Sequence, residues 1–305
     1  MELRKGDVAV VTGAASGIGY ALAERFASAG LHVVAADVDD AALTGAATAL
    51  ATHGTEVLAH QVDVRDEDAV AGLAAAALER FGAVHVVCNN AGVSTRSDPW
   101  AGPLSAWKWV FDVNLWGVLH GVRAFLPHLI AGDRGHIVNT ASMAGLAPGV
   151  GAAYDASKHA VVALSEDLYL DLQARLAPVG VSVLCPGWVN TNIVDADRNW
   201  PADQGAVPER AATIGVIEPH LRRAIAEGLT PAAVADHVAA AIAEDRFWVL
   251  PSAAWIDLAA ERWDSIRAGA NPRHAEQIPG LPPTSQLFEE IITSLLDSDG
   301  DGATP

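Results

Sequence analysis

Short β-branched runs alternate along this chain with longer segments rich in helix-forming residues. The predicted strands are Val8–Thr12, His32–Ala36, Glu56–Gln61, Val84–Cys88, His136–Thr140, Val181–Cys185 and Phe247–Leu250. The predicted helices between them are Gly17–Ala29, Asp40–Thr52, Asp66–Phe81, Ser105–Ile130 and Ala152–Leu176. An alternation of this kind predicts a parallel sheet with helices packed on both of its faces. We therefore expect an α/β fold built on a doubly wound parallel sheet of about seven strands.

Composition and charge narrow the range of partners. The 305 residues are 51% apolar and carry a formal net charge of −18. A packed globular protein is therefore expected, and binding to nucleic acid or to an anionic membrane is not. No apolar run reaches the length of about 18 residues that a membrane span needs, and no early run has the flanks of a signal peptide. Cys88 and Cys185 lie in apolar runs and are expected to be buried, reduced thiols, so we predict a cytoplasmic location.

The pattern loosens after the sixth strand. The stretch from Asn190 to Thr230 is rich in proline and glycine. A long irregular segment after the carboxyl end of a strand favours a loop that covers the substrate. Ala253–Ala268 and Gln286–Leu296 are predicted to be helical, and residues Asp297–Pro305 are predicted to be frayed or disordered.

A glycine-rich turn, Thr12-Gly-Ala-Ala-Ser-Gly-Ile-Gly19, follows the first strand and opens the first helix. Gly13, Gly17 and Gly19 would let the backbone approach a pyrophosphate, which the N–H groups at the start of the helix would bind. A tight turn between a strand and a helix is the alternative reading. The position directly after the first strand favours a dinucleotide site, although the spacing differs from the Rossmann G-x-G-x-x-G.

Asp37 ends the second strand, where an acid can accept hydrogen bonds from the adenosine ribose. The same carboxylate would repel a 2′-phosphate. No Lys or Arg lies in the glycine turn or directly after Asp37 to offset that repulsion, and Asp39 and Asp40 add to it. The sequence therefore predicts NAD in preference to NADP. A simple cap at the end of the strand is the alternative role for Asp37.

Three further strand ends carry residues that suit the same cofactor. Asp63 ends the third strand and would lie beside the adenine, and Asn90-Ala91-Gly92 ends the fourth. Pro186-Gly187 and Thr191 follow the sixth strand and would brace the nicotinamide and bind its carboxamide. The carboxyl ends of parallel strands meet at one edge of a sheet, so these residues are expected to share one crevice.

Tyr154 and Lys158 lie four residues apart, and Ser142 lies twelve residues before the tyrosine. On a helix the phenol and the ammonium would share one face. A phenol that exchanges a proton near neutral pH needs a pKa below its usual value of about 10, and a nearby cation would lower it. Ser142 could then hold the oxygen that gains or loses charge. Tyr and Lys at this spacing also occur by chance in ordinary helices.

The ordered set of these residues resembles the short-chain dehydrogenase/reductase superfamily, in its single-domain, NAD-preferring branch. The glycine turn, Asn90-Ala91-Gly92, Asn114, Ser142, the Tyr154/Lys158 pair and Pro186-Gly187 stand in the order of that family. The resemblance covers about residues 5 to 195 and a strand near 247–250. It implies a Rossmann-type single domain with a C-terminal helical extension, and a homo-oligomer, either a dimer or a tetramer. Residues 1–250 would form the catalytic domain, with a substrate loop at 190–230, and residues 251–305 the extension.

The resemblance also implies roles for individual residues. Tyr154 would exchange the proton of the alcohol or carbonyl, and Lys158 would lower its pKa and hold the nicotinamide ribose. Ser142 would bind the substrate oxygen, and Asn114 would bend its helix and anchor a water that leads to Lys158. The cofactor-binding residues would be Gly13, Ser16, Gly17, Ile18, Gly19, Asp37, Asp63, Val64, Asn90, Ala91, Gly92, Tyr154, Lys158, Pro186, Gly187, Val189 and Thr191.

The expected activity is NAD-dependent interconversion of a hydrophobic secondary alcohol and its ketone. Residues 214–266 have a weaker likeness to bacterial relatives that act on bulky secondary alcohols, including aryl ones. Trp188 and Trp200 flank the expected substrate loop and are candidates for the pocket wall, whereas Trp107, Trp109 and Trp116 suit packing in the core or between subunits. No spacing of His or Cys indicates a metal site.

Three alternatives remain open from the sequence. The protein could be an NADP-using carbonyl reductase. A sugar-nucleotide epimerase or dehydratase shares the Tyr/Lys pair, but such enzymes carry another glycine spacing and a larger substrate domain. An NAD-sensing binding module without turnover would use the same fold, although such proteins can lose the tyrosine or the serine, and here both are present.

Overall fold

The computed structural model describes the backbone of residues 1–300 and the side chains of residues 1–296. The strands are β1 (Val8–Thr12), β2 (His32–Asp37), β3 (Val57–Gln61), β4 (Val86–Asn89), β5 (Gly135–Thr140), β6 (Val179–Leu184) and β7 (Trp248–Val249). The helices are α1 (Gly17–Ser28), α2 (Asp40–Ala51), α3 (Glu67–Phe81), α4 (Leu104–Phe111), α5 (Gly117–Ala131), α6 (Ala152–Ala174), α7 (Ala212–Ala226), α8 (Pro231–Glu244), α9 (Ile256–Arg267) and α10 (Thr284–Gly300).

The seven strands form one parallel sheet in the order β3-β2-β1-β4-β5-β6-β7. The chain moves outward from β1 to β3, crosses back beside β1 and then moves outward on the other side. Val10 is therefore flanked by Val34 of β2 and by Val87 of β4. In such a sheet the crevice lies where the strand order reverses, at the carboxyl ends of β1 and β4. The predicted doubly wound sheet is confirmed.

Each face of the sheet has its own hydrophobic core, because successive side chains of a strand point to opposite faces. In β1, Val8 and Val10 pack in the cluster that holds Phe125 of α5. Ala9 and Val11 pack in the cluster that holds Leu22 of α1. The unbroken apolar run Val8–Val11 of β1 thus fits a strand that is buried on both sides.

The segment 190–230 is more regular than predicted. The 15-residue helix α7 occupies residues 212–226, and two 3-10 turns precede it. The expectation of an irregular loop throughout this stretch is therefore wrong. Pro219 lies inside the helix, as Pro127 does in α5. A proline in a helix interior usually signals a break, which is why the pattern concealed α7.

The predicted helix over 105–130 is also interrupted. A π-helical turn, Asp112–Trp116, separates α4 from α5, and Asn114 lies within it. π-turns inside α-helices often mark functional sites. The predicted helix is therefore present, and it is interrupted at Asn114, the residue that the resemblance implied would bend it.

Of the two C-terminal helices, α10 packs against α7, and α9 packs through Leu258 and Ala259 against the cluster that holds Val183 of β6. Helix α10 continues to Gly300, past Asp297 where fraying is predicted; residues 301–305 lie outside the described residues. Cys88 and Cys185 are buried and free, as expected. Across residues 1–296, no helix has both the length and the apolar character that a membrane span requires.

Candidate active site

A cavity of about 940 Å³ opens at the carboxyl edge of the sheet, over the point where the strand order reverses. Every cofactor-binding residue predicted from the sequence lines it, as do Ser142, Trp188 and Trp200. Asn114 is the exception: it is fully buried beneath the wall. One crevice thus brings together residues that are spread over most of the chain.

At several positions of the glycine turn the backbone has a conformation or a close contact that only glycine allows. Gly13 and Gly17 have positive φ angles of 68° and 55°. At Gly19 an added Cβ would lie 2.0 Å from the carbonyl oxygen of Gly13. Among the described residues no side chain caps the start of α1, so the N–H groups of its first turn remain free for an anion. The turn therefore fits the pyrophosphate of a dinucleotide.

We predict that Gly19→Ala abolishes dinucleotide binding, with a loss of affinity of at least about 100-fold. The added methyl would collide with backbone, which cannot move aside without opening the turn. Gly72 in α3 is the matched control. Within the described structure nothing lies within 4 Å of a Cβ added there. Gly72→Ala should therefore bind NAD normally and gain about 0.5–1 kcal/mol of stability. Calorimetric titration of both variants with NAD would decide; equal affinities would contradict the role of the turn.

Thr12 joins the ends of β1 and β4. Its hydroxyl accepts hydrogen bonds from the backbone N–H groups of Asn90 and Ala91, at 3.0 and 3.1 Å. The side chain of Asn90 donates in return to the Thr12 carbonyl at 3.0 Å and accepts from the Thr140 hydroxyl at 3.2 Å. These bonds fix the Asn90-Ala91-Gly92 backbone beside the glycine turn.

Asp37 lies at the cavity edge, at the end of β2. Its carboxylate accepts the backbone N–H of Ala15 at 3.0 Å, and thus touches the glycine turn. The N–H of Asp39 binds its other oxygen at 3.1 Å. Asp37 is therefore held in place by backbone groups, beside the position expected for the adenosine ribose.

Asp63 also lines the cavity, but the sequence did not predict its partner. Arg65 donates from Nε and Nη2 to the Asp63 carboxylate, at 2.7 Å for the closest pair. Nη2 of the same guanidinium lies 3.3 Å from Asp203, in the segment that precedes α7. Arg65 therefore links the third strand end to the far side of the cavity.

Ser142 follows β5 and Tyr154 lies in the first turn of α6, and both line the cavity. The hydroxyl of Ser142 donates to the carbonyl of Pro186 at 3.5 Å and is near enough to Tyr154 to lower the pKa of the phenol by hydrogen bonding. Ser142 also accepts the N–H of Ala144 at 3.1 Å, which fixes its rotamer. Burial raises the pKa of Tyr154 to about 12, and the bond with Ser142 lowers that pKa by less than burial raises it. Tyr154 is therefore protonated at neutral pH and can donate a proton.

Lys158 lies one turn after Tyr154 and is 3% exposed. Its Nζ is 5.7 Å from the centre of the tyrosine ring and donates to the Thr140 carbonyl at 2.8 Å. Burial lowers the pKa of Lys158 to about 8. The sequence predicted that Lys158 would bring the pKa of Tyr154 down. Burial sets the raised pKa of Tyr154 in the protein alone, and the lowering by Lys158 stays a prediction.

Asn114 positions backbone behind the catalytic pair. Its side chain accepts the N–H of Val93 at 2.8 Å and donates to the carbonyl of Val93 at 3.0 Å. It also donates to the hydroxyl of Ser157 at 3.1 Å. The π-helical turn directs this amide toward the loop after β4, and so joins that loop to α6 beside Lys158.

The C-terminal extension supplies part of the wall that sequence analysis missed. Trp255 lines the cavity and packs edge-on against Trp188, with ring centres 5.3 Å apart. The hydroxyl of Ser252 accepts the Gly187 N–H at 3.0 Å, and the carbonyl of Pro279 accepts the indole N–H of Trp188 at 2.6 Å. Residues 252–279 therefore hold the backbone where a nicotinamide is expected.

The opposite wall is mainly apolar and comes from α4 and α7. Trp200 lies edge-on to Trp109, with ring centres 5.0 Å apart, and both line the cavity. Trp109 is 1% exposed, so the predicted packing role holds for it, although it also borders the cavity. Trp116, in contrast, is 48% exposed. The apolar residues of α7 in the wall, Ile214, Leu221 and Ile225, could have been found only by recognising a helix across Pro219.

The described side chains hold no group of three or more His, Cys, Asp or Glu residues that could bind a metal ion. The groups that converge around Tyr154 are hydroxyls, one ammonium and backbone amides. Such a set can exchange a proton with a substrate oxygen and hold a dinucleotide beside it. It fits a nicotinamide cofactor.

Comparison with known proteins agrees with this geometry. The sequence model for short chain dehydrogenases matches residues 7–202. A short chain dehydrogenase/reductase from Burkholderia phymatum, crystallised in complex with NAD, superposes with a TM-score of 0.88 at 42% identity. That match covers 91% of this chain and 100% of the other.

Two enzymes of known activity are similar in sequence. A 1-deoxy-11-beta-hydroxypentalenate dehydrogenase of Streptomyces avermitilis is 43% identical over 251 residues, which is 81% of this chain and 85% of that enzyme. A 3beta-hydroxysteroid dehydrogenase of Eggerthella lenta is 37% identical over 206 residues, which is 66% of this chain and 77% of that enzyme. The chain therefore belongs to the short-chain dehydrogenase family and is an NAD(P)-dependent oxidoreductase that acts on alcohols.

Proposed function

We propose that the protein oxidises a bulky, hydrophobic secondary alcohol to its ketone with NAD, or catalyses the reverse reaction. One observation carries the proposal. Ser142 and Tyr154, with Lys158 one turn after the tyrosine, line the same cavity as the glycine turn and an apolar wall. A proton-exchanging group and a dinucleotide site thus share one crevice.

The roles of the residues follow from their contacts. Ser142 and Tyr154 would hold the substrate oxygen between their hydroxyls. In the reductive direction Tyr154, protonated at neutral pH, would donate its proton to that oxygen. In oxidation the phenolate would accept the proton, and Lys158 as a cation would stabilise it. The cofactor supplies the hydride acceptor or donor. Asn114 would position the backbone between these groups.

Shape and chemistry of the wall favour a bulky alicyclic substrate. The wall combines the indoles of Trp109, Trp188, Trp200 and Trp255 with aliphatic side chains of α7. A ring system would bury most of its surface there. The similar enzymes named above act on a hydroxypentalenate and on a 3β-hydroxysteroid, which supports the same class. An aryl alcohol remains a narrower alternative within this proposal.

The proposal is tested by following NADH absorbance with a panel of alicyclic and aryl secondary alcohols. Turnover of one or more alicyclic members, and no turnover of primary alcohols of similar size, is the expected result. Binding of NAD without hydride transfer to any member of the panel, in either direction, would instead favour the NAD-sensing module.

We propose NAD over NADP because of Asp37. Its carboxylate is fixed by the N–H groups of Ala15 and Asp39, so it cannot turn away easily from a 2′-phosphate.

We predict that Asp37→Ala lowers the preference for NAD over NADP by at least about tenfold, since it removes one repulsive charge. The ratio of kcat/KM for the two cofactors measures this. Asp167→Ala, which removes an exposed carboxylate of α6 that does not line the cavity, is the control and should leave the ratio within about twofold. An unchanged ratio in Asp37→Ala would contradict the role.

The division of the chain follows the same proposal. Residues 1–250 would form the catalytic domain, with the substrate-covering segment at 190–230, and the extension from 251 would close the cavity.

We also propose a homo-oligomer that forms through α5 and α6. Exposed apolar side chains on these helices and on the turn before α5, Trp116, Ile130 and Leu170, support that assembly.

A further inference from the structure

Helix α7 presents a stripe of side chains to the cavity, and one of them is charged. Ile214, Leu221 and Ile225 lie on the stripe at helical spacing, and Glu218 occupies the position between them. Glu218 is 6% exposed. A buried carboxylate in an otherwise apolar stripe adds little stability compared with an aliphatic side chain. Its presence therefore calls for another explanation.

Three arginines surround this carboxylate. Oε1 accepts from Nε of Arg222 at 2.8 Å and lies 3.5 Å from Nη1 of Arg96. Oε2 lies 3.0 Å from Nη1 of Arg210. Of these arginines only Arg96 lines the cavity in the described structure. Oε1 of Glu218 is thus occupied by two guanidinium groups, whereas the buried Oε2 is ion-paired with Arg210 but accepts no hydrogen bond among the described residues.

In the described part of the chain, Arg96 keeps N–H donors that have no partner. It lies four residues after Gly92, on the loop that follows β4, and reaches across to Asp197 and to α7. Nε and Nη2 donate to one oxygen of Asp197 at 3.0 and 2.7 Å, and Nη1 has only the long contact with Glu218. A guanidinium has five N–H groups. Two N–H groups therefore have no partner among the residues described, one on each terminal nitrogen.

Charge around Arg96 also favours an acceptor. The cluster contains the guanidinium groups of Arg96, Arg198, Arg210 and Arg222 and the carboxylates of Asp195, Asp197 and Glu218. Four positive and three negative charges leave an excess of one positive charge. Within the described chain, Arg96 makes no hydrogen bond or ion pair with Ser142, Tyr154 or Lys158. The cluster is thus a second polar region of the cavity, separate from the catalytic hydroxyls.

We propose that Arg96 binds a hydrogen-bond-accepting oxygen of the substrate, a carboxylate or a carbonyl, that is distinct from the oxygen under reaction. Asp197 and Glu218 hold the guanidinium in position, with its unpaired N–H groups available to the cavity. Arg96 is then a specificity residue, and it selects substrates that are apolar in the middle and oxygenated at two separate points. The inference rests on the proposed function only in that substrates enter this cavity.

Flexible probes avoid any assumption about the distance between Arg96 and the catalytic hydroxyls. The test compares three series of eight to twelve carbons: 2-alkanols, (ω−1)-hydroxyalkanoates and the methyl esters of those acids. Binding to the NADH-loaded protein is followed by tryptophan fluorescence, because four indoles line the cavity. This readout does not require turnover.

In the wild type, the best acid or ester should bind about tenfold more tightly than any 2-alkanol. A preference for acids alone identifies a carboxylate site, and an equal preference for acids and esters identifies a carbonyl site. Arg96→Met should remove the preference. Arg210→Met, which makes the same change of charge at an arginine that also pairs with Glu218, should retain it.

Equal binding of all three series by the wild type, or an undiminished preference in Arg96→Met, would overturn the proposal. If Arg96→Met does not fold, Arg96→Lys takes its place. A lysine has three donors instead of five, so the preference should fall at least threefold, and an unchanged preference again overturns the proposal. Parallel NADH assays keep the two proposals apart. A binding preference without turnover would contradict only the proposed function, and turnover without a preference would contradict only the role of Arg96.

Discussion

Replacing Tyr154 by Phe is expected to lower kcat for alcohol oxidation by about 10³-fold, the order of magnitude of a lost general acid–base group. The substitution deletes one oxygen and leaves the ring beside Lys158. The dinucleotide site, formed mainly by the glycine turn and Asp37, keeps its contacts. Binding of NAD should therefore change by less than about threefold, since Ser142 keeps its bonds with Ala144 and Pro186. Steady-state kinetics together with NAD titration measure both quantities.

The chain offers a matched control for this experiment. Tyr169 lies on the same helix and packs against Phe247, with ring centres 5.1 Å apart. Tyr169→Phe removes the same atom at a site that does not line the cavity, so kcat should remain within about twofold of the wild type. If Tyr154→Phe turned over alcohol at the wild-type rate, another group would have to exchange the proton.

Lys158→Met should abolish activity and, at neutral pH, make the protein more stable. The ordinary pKa of the ammonium is 10.5, and burial lowers it to about 8 in the folded protein. Between these two values the unfolded chain binds a proton that the folded protein does not, so the stability of the wild type rises with pH in that window. Across the whole pH window the free energy of unfolding changes by about 3 kcal/mol, and below pH 8 the folded wild type is destabilised by this full amount. Methionine fills the space without a charge.

The measurement compares free energies of unfolding at pH 7 and pH 9.5. The advantage of Lys158→Met over the wild type should shrink by about 2 kcal/mol between the two values. Tyr154 titrates in both proteins, so its contribution largely cancels in the difference. Lys108, a 66%-exposed lysine paired with Asp112, provides the control, because Lys108→Met should show no such dependence. An advantage that stayed constant with pH would mean that Lys158 is not destabilised by its burial.

The strands were predictable because their signal is local. In β1 an unbroken apolar run is buried on both faces, and the order of glycine, aspartate and asparagine at the strand ends follows the connectivity of a parallel sheet. The side of the cavity lined by the glycine turn, Asp37 and Asn90 could therefore be predicted residue by residue. Asn114 came only from the family resemblance, and only the structure shows the π-helical turn that directs its amide to Val93.

Of the substrate side only Trp188 and Trp200 were predicted, since its other contacts join distant parts of the chain. Pro219 concealed α7, and nothing in the sequence near Gly187 announces that Ser252, 65 residues later, accepts its N–H. The pKa of Tyr154 was missed for a related reason. Helical spacing identified the neighbouring cation, but it could not reveal how deeply the phenol is buried.

The cavity wall has a consequence for how relatives of this enzyme diverge. The sequence model of the family matches residues 7–202, whereas α7 and Trp255 lie beyond them. Mutations after that point can reshape the wall while the glycine turn and Tyr154 stay untouched. Selection can thus alter which alcohol is accepted through one stretch of the chain and preserve the chemistry through another, so that substrate range and reaction type evolve at separate rates.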